Sequence, residues 1–129
     1  MSEMSDAALV EALRRQMTLA AARQIVAASN LANVNTPGYK AREADFSRTL
    51  DQTMAETLVA TNPRHLQAAP AAGAGTREVE GLPARRDGNT VQIDRELLEM
   101  ARASGEFQRA QTALAAKFRL VRYAIAESR

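Results

Sequence analysis

The chain has 129 residues and a formal net charge of +2, from 17 basic and 15 acidic side chains. This length suits one domain, and the charge is too even to indicate a polyanion such as nucleic acid as the partner. The absence of cysteine excludes disulfides and thiolate metal sites, and a hydrophobic fraction of 46% with only 4% aromatics favours alanine-rich helices over a large globular core.

The first predicted element is a helix in the segment 6–35, running from Asp6 to about Asn33 with Ser5 or Asp6 as its N-cap. Its apolar residues return at steps of three or four, with the polar Gln24 continuing the pattern where one apolar member is missing. They are Val10, Leu13, Met17, Ala20, Ala27 and Leu31. The stripe is made mostly of small side chains, which permits close helix packing but buries little area per residue.

A strong stop signal follows this helix. Asn33, Asn35, Thr36, Pro37 and Gly38 fall within six residues. Pro37 disfavours a helical conformation for Thr36, and Gly38 is free to adopt a positive φ. The sequence therefore predicts a turn, although common turn residues alone do not assign a function to it.

The middle of the chain is predicted to hold a turn and a short helix over residues 36–66, with the helix from Asp45 to about Val59. Apolar residues recur there every four positions, at Phe46, Leu50, Met54 and Leu58. Residues 67–84 are rich in Ala, Gly and Pro and predict a flexible loop. Between Arg85 and Ile93, a turn dipeptide at Asp87-Gly88 precedes alternating apolar residues, which indicates a short strand or hairpin arm within the variable region 67–92.

The most regular pattern lies in the segment 93–127, where apolar positions alternate in steps of four and three. These positions, the apolar stripe, are Ile93, Leu97, Met100, Ser104, Phe107, Gln111, Leu114, Phe118, Val121 and Ile125. The heptad spacing predicts a helix from Asp94 to about Ala126, roughly 50 Å long. Periodicity alone leaves open whether the stripe packs within the chain or forms a homodimeric coiled coil.

Together these elements predict an all-α protein that forms a single domain over residues 1–129. Its two long terminal helices pack as a coiled-coil-like pair, with a short middle helix, a flexible loop and at most a small β element. His65 is the only histidine, without other metal ligands at suitable spacing, so neither a metal site nor a cofactor is expected. The chain lacks a phosphate loop and a nucleophile motif, and we therefore do not predict an enzyme or a small-molecule substrate.

The run SNLANVNTPGYKA, residues 29–41, resembles the N-terminal signature of flagellar rod, hook and hook-associated proteins. The C-terminal run from Asp87 through Met100 and Phe107 to Phe118 is similar to the proximal rod branch of that family. The resemblance covers about residues 8–50 and 85–127. It implies that Asn33 and Asn35 close the helix, that Pro37 and Gly38 fix the turn, and that Tyr39 packs against neighbouring helices.

The resemblance also implies a function, namely a structural subunit of the proximal flagellar basal-body rod that transmits torque and surrounds the export channel. Expected partners are other rod proteins and itself, the ring-to-rod adaptor protein and the flagellar type III export apparatus. The expected location is the periplasmic rod, reached without a cleaved signal peptide. The candidate assembly residues are Leu97, Met100, Phe107, Leu114, Phe118, Val121 and Ile125. The alternative is a cytoplasmic coiled-coil adaptor that dimerises through residues 93–125.

Overall fold

The computed structural model describes residues 6–45 and 75–127. Two long helices dominate it: α1 spans Asp6–Ala32 and α2 spans Ile93–Glu127. Asn30 near the end of α1 contacts Glu96 at the start of α2, whereas Asp6 contacts Lys117, so the two helices run antiparallel. The predicted pair of long helices that pack together is confirmed. Neither helix is long and apolar enough to cross a membrane.

The contact between the helices is built largely from alanine. The buried residues of α1 are Ala20, Ala22, Val26, Ala27 and Asn30. On α2, the buried residues Glu96, Ala103 and Ala110 recur every seven positions, which keeps them on one side of the helix. Small side chains at these positions let the two helix backbones approach closely.

The face of α2 that contacts α1 is rotated from the centre of the predicted apolar stripe. Glu96 is 2% exposed, whereas the neighbouring stripe residue Leu97 is 52% exposed. Because successive residues turn by about 100° around a helix, the contact face begins one position before the stripe. The reason is that Ala103 and Ala110 fit the alanines of α1 and Glu96 finds a polar partner there.

A two-stranded antiparallel sheet lies beside α1. Strand β1, Arg42–Ala44, pairs with β2, Thr76–Glu78, in a register that places Arg42 opposite Glu78. Ala44 of β1 forms a small buried cluster with Ala22 and Val26 of α1. The sheet therefore extends the helix pair on one flank near the end of α1.

The prediction of a small β element is confirmed, but the strand expected between Arg85 and Ile93 does not form. Strand β2 falls in the predicted loop 67–84, and the segment 85–92 forms a turn followed by irregular chain. Here Asn89, Thr90 and Val91 are buried in succession, so the alternation of a half-exposed strand is not realised. The predicted middle helix, apart from Asp45, and the first part of that loop, residues 67–74, lie outside the described residues.

Candidate assembly surface

The turn after α1 and the segment before α2 pack together, and we call residues 33–40 and 85–92 the junction. Asn33 Nδ2 donates a hydrogen bond of 2.8 Å to the carbonyl of Ser29, and Thr36 Oγ1 donates one of 3.2 Å to Asn33 Oδ1. Asn33 thus satisfies a carbonyl in the last turn of α1, where intrahelical donors run out. Asn35 is exposed, and no hydrogen bond of its side chain to the end of α1 is seen among the described residues.

Asn89 completes the end of α1 from the other side of the junction. Its side chain is fully buried, and Nδ2 lies 2.9 Å from the carbonyl oxygens of Asn33 and Thr36 and 3.2 Å from that of Val34. Its Oδ1 accepts a hydrogen bond of 2.8 Å from the backbone N–H of Val91. One amide therefore caps α1 and orients the chain that leads into α2.

Asn30 is the second buried amide, and it joins four parts of the molecule. Its Nδ2 donates to Glu96 Oε2 at 2.9 Å and to the carbonyl of Arg42 at 2.7 Å. Its Oδ1 accepts from the backbone N–H of Arg42 at 3.0 Å and from the hydroxyl of Tyr39 at 3.2 Å. Both donors and both acceptor positions of the amide are used, so its burial leaves no polar atom unsatisfied.

Two glycines allow the two segments of the junction to come into contact. Gly38 and Gly88 have φ of 71° and 80°, and a Cβ on Gly88 would lie 3.4 Å from the Cα of Gly38. The N–H of Gly38 donates to the carbonyl of Asp87 at 2.7 Å. The backbone N–H of Asn89 and the guanidinium of Arg85 hydrogen-bond the carboxylate of Asp87 and lower its pKa.

Beyond its contact with α1, α2 continues as a helix with exposed apolar side chains. Lys117 Nζ contacts Asp6 Oδ1 at 2.5 Å and marks the level at which α1 begins. Residues 118–127, the α2 extension, lie beyond that level and span about 15 Å. Its large apolar residues, between 40% and 65% exposed, are Phe118, Leu120, Val121, Tyr123 and Ile125.

The structure divides the predicted assembly residues into two groups. Met100, Phe107 and Leu114 are half-buried on the flank of the contact with α1. The other members are exposed, namely Leu97, Phe118, Val121 and Ile125. The exposed group lies near the two ends of α2. The middle of α2 presents mainly small or polar residues to solvent.

Sequence reasoning missed the three largest fully buried side chains, which are all polar, namely Asn30, Asn89 and Glu96. A signal for two of them existed in the helical spacing. Asn30 lies three and four residues after Ala27 and Val26 on the same side of α1, and Glu96 lies seven residues before Ala103. Nothing comparable marked Asn89, because its burial depends on the fold of the junction.

A charged cleft of about 340 Å³ lies between the two helices and the sheet. Most of its charges pair with one another: Arg23 contacts Glu106 at 2.7 Å, Arg77 contacts Glu43 at 2.6 Å, and Arg95 contacts Glu43 at 3.7 Å. The described ranges contain no group of three His, Cys, Asp or Glu residues able to hold a metal ion. These ion pairs therefore join α1 to α2 and join the sheet to α2.

Comparisons with known proteins agree on one family. Residues 11–40 match the family described as flagella basal body rod protein. The chain is 34% identical over 114 residues to the flagellar basal body rod protein FlgB of Escherichia coli K12, covering 80% of this chain and 82% of that protein. It is 37% identical over 90 residues to FlgB of Aeromonas hydrophila, covering 67% of this chain and 68% of that protein. The chain belongs to the FlgB family of flagellar basal body rod proteins.

Proposed function

We propose that this chain is a structural subunit of the proximal flagellar rod that polymerises through its two terminal helices. The observation that carries the proposal, beside family membership, is the α2 extension, in which an ordered helix bears large apolar side chains that are between 40% and 65% exposed to solvent. The protein is structural and not an enzyme. Its activity is mechanical, because a tube of packed helices transmits torque and surrounds the export channel.

The arrangement of apolar residues around the α2 extension favours burial on more than one side. At about 100° per residue, Phe118, Val121 and Ile125 fall on one side of the helix, and Leu120 and Tyr123 fall on the other. Arg119 and Arg122 lie between these two sides, so the extension presents two apolar sides and not one stripe. Contact with two neighbouring helices at once, as in a tubular assembly, satisfies this pattern.

Further exposed apolar residues extend the proposed assembly surface to other parts of the helix pair. Ile93, Leu97 and Leu98 are about half exposed at the start of α2, and Ile25 is 69% exposed on α1. These residues lie on both helices and at the end of the pair opposite to the α2 extension, so one flat dimer contact does not cover them together with the extension. A subunit surrounded by several neighbours does.

The exposed apolar residues on both helices are surfaces on which partner proteins can bind. Interaction with other rod proteins accords with the family, whose name describes a component of the basal body rod. We propose in addition that the subunit contacts copies of itself, the ring-to-rod adaptor protein and the flagellar type III export apparatus. We also propose that it lies in the periplasmic rod.

A cytoplasmic coiled-coil adaptor is less consistent with the packing of α2. Such a dimer needs a continuous apolar stripe facing the partner chain. Met100, Phe107 and Leu114 of that stripe are half-buried beside α1 within the same chain. The exposed apolar members of the stripe fall at the two ends of α2, which separates them by the length of the helix contact.

The test is complementation of a strain that lacks this protein, with swimming and isolated basal bodies as readouts. We expect Phe118→Ser with Ile125→Ser to be produced but to leave cells without complete rods, because two apolar contacts are lost in the extension. The matched control replaces two charged residues of the same extension, Arg119→Ser with Arg122→Ser, and should restore swimming. Normal rods with the apolar double variant would contradict the assembly role of the extension.

A further inference from the structure

The alanine layers between α1 and α2 do not by themselves specify how the helices align. Ala20 and Ala27 are seven residues apart on α1, and Ala103 and Ala110 are seven apart on α2. All four are at most 3% exposed. Sliding one helix by seven residues, about 10 Å, would again place alanines near alanines on the same faces.

The layer formed by Asn30 and Glu96 is different, because only one alignment brings its two members together. Asn30 is fully buried, Glu96 is 2% exposed, and Asn30 Nδ2 lies 2.9 Å from Glu96 Oε2. A slide of seven residues in either direction separates them. In a slid alignment Asn30 keeps its hydrogen bonds to Arg42 and Tyr39, and Glu96 Oε1 keeps Arg95. One N–H of the Asn30 amide and Oε2 of Glu96 would lose the hydrogen bond that joins them, which is unfavourable in a buried layer, so slid alignments are penalised.

We propose that the Asn30–Glu96 pair is a register lock, which selects one alignment of α1 and α2 from several that the alanine layers permit. A single buried polar pair has this role in helical assemblies whose apolar layers repeat. The lock concerns the single chain and does not depend on polymerisation.

One consequence of the lock does rest on the proposed function. The alignment fixes where α2 passes the start of α1, at the Lys117–Asp6 contact, and thus fixes the length of the α2 extension. A slid subunit would have an extension longer or shorter by about 10 Å. Subunits that differ in this way would not pack into a regular tube.

The experiment measures the alignment directly by distances between spin labels. The chain contains no cysteine, so Ala28→Cys on α1 and Thr112→Cys on α2 introduce two label sites at exposed positions. In the otherwise unchanged chain we expect one distance population. Glu96→Leu should keep the helix content measured by circular dichroism but add a second population, displaced by about 10 Å along the helix axis.

Two further variants separate a lock from a general stabilising contact. Glu96→Gln keeps an acceptor for Asn30 Nδ2 and should restore one population, whereas Glu99→Leu, on the same helix but half-buried, should never produce a second. One population in Glu96→Leu would overturn the proposal and assign alignment to the junction around Asn89. A broad or double distribution in the unchanged chain would overturn it as well. Swimming cells with one population in Glu96→Leu would leave the rod function intact.

Discussion

At the scale of single residues, the junction depends on amide side chains because an amide both donates and accepts hydrogen bonds. Asn30 uses this capacity to reach Tyr39, Arg42 and Glu96 at once. A hydrophobic residue of similar size would leave the backbone of Arg42 without these partners in a part-buried site. The polar character of the junction is therefore a structural requirement and not a surface property.

The capping role of Asn89 leads to a prediction about stability. We expect Asn89→Ala to lower the free energy of unfolding by about 2 kcal/mol, since it removes a buried amide that satisfies carbonyls at the end of α1. Urea unfolding followed by circular dichroism measures the change.

The matched control is Asn35→Ala, in the same turn but at an exposed position. Its effect should stay within about 0.5 kcal/mol. If the two variants unfolded at the same urea concentration, the cap by Asn89 would not contribute to stability.

The junction is also expected to respond to acid through Asp87. Hydrogen bonds from the backbone of Asn89 and from Arg85 lower its pKa below the ordinary value of 3.8. A lowered pKa in the folded state means that the contribution to stability is present above about pH 4 and is lost as pH falls through the lowered pKa. The amide proton of Asn89 should shift in NMR spectra over that acidic range, and Asp87→Asn should abolish the shift.

At the scale of elements, the closeness of α1 and α2 depends on alanine. Ala103 is 1% exposed in the contact, so Ala103→Leu forces the helices apart and should cost about 1–3 kcal/mol. Ala101→Leu, at an exposed position of the same helix, is the control and should be nearly neutral, because leucine is also a good helix former. The midpoints of thermal unfolding of the two variants are compared. Equal midpoints would mean that Ala103 does not lie in a tight contact with α1.

The two helices were predictable because their residues repeat with a helical period over long stretches. The face of α2 that contacts α1 could not be predicted in the same way. Met100, Phe107 and Leu114 belong to the predicted stripe but only border the observed face, so periodicity defines the direction of contact only to within about one residue. Polar Glu96 and small Ala103 decide that direction, and neither stands out in a pattern that ranks positions by hydrophobicity.

The sheet and the polar junction lay beyond what local patterns predict. Strands β1 and β2 have three residues each and are far apart in sequence, so their pairing depends on long-range placement against Ala22 and Val26. For the candidate assembly surface, the sequence pattern also did not predict which apolar residues are exposed. The heptad pattern treats Phe107 and Phe118 alike, but Phe107 is half-buried and Phe118 is 57% exposed.

At the scale of the whole molecule, the described core consists mainly of small side chains. Alanine dominates the buried residues, whereas the large apolar residues of α2 are mostly exposed. Since burial stabilises in proportion to the apolar area removed from water, this distribution gives a modest core and leaves much apolar area for neighbours. The subunit alone is thus incomplete in a way that assembly corrects.

Hydrogen exchange tests this view on the isolated subunit and on rods. The α2 extension has backbone hydrogen bonds but its large apolar side chains are between 40% and 65% exposed, so its amides should open far more readily than those from Glu96 to Ala110. Sedimentation at micromolar concentration should show a monomer. In assembled rods the amides of residues 118–127 should become as protected as the rest of α2, because neighbours then bury Phe118 and Tyr123. Equal protection along α2 in the monomer, or a stable dimer, would contradict an extension that is completed only by assembly.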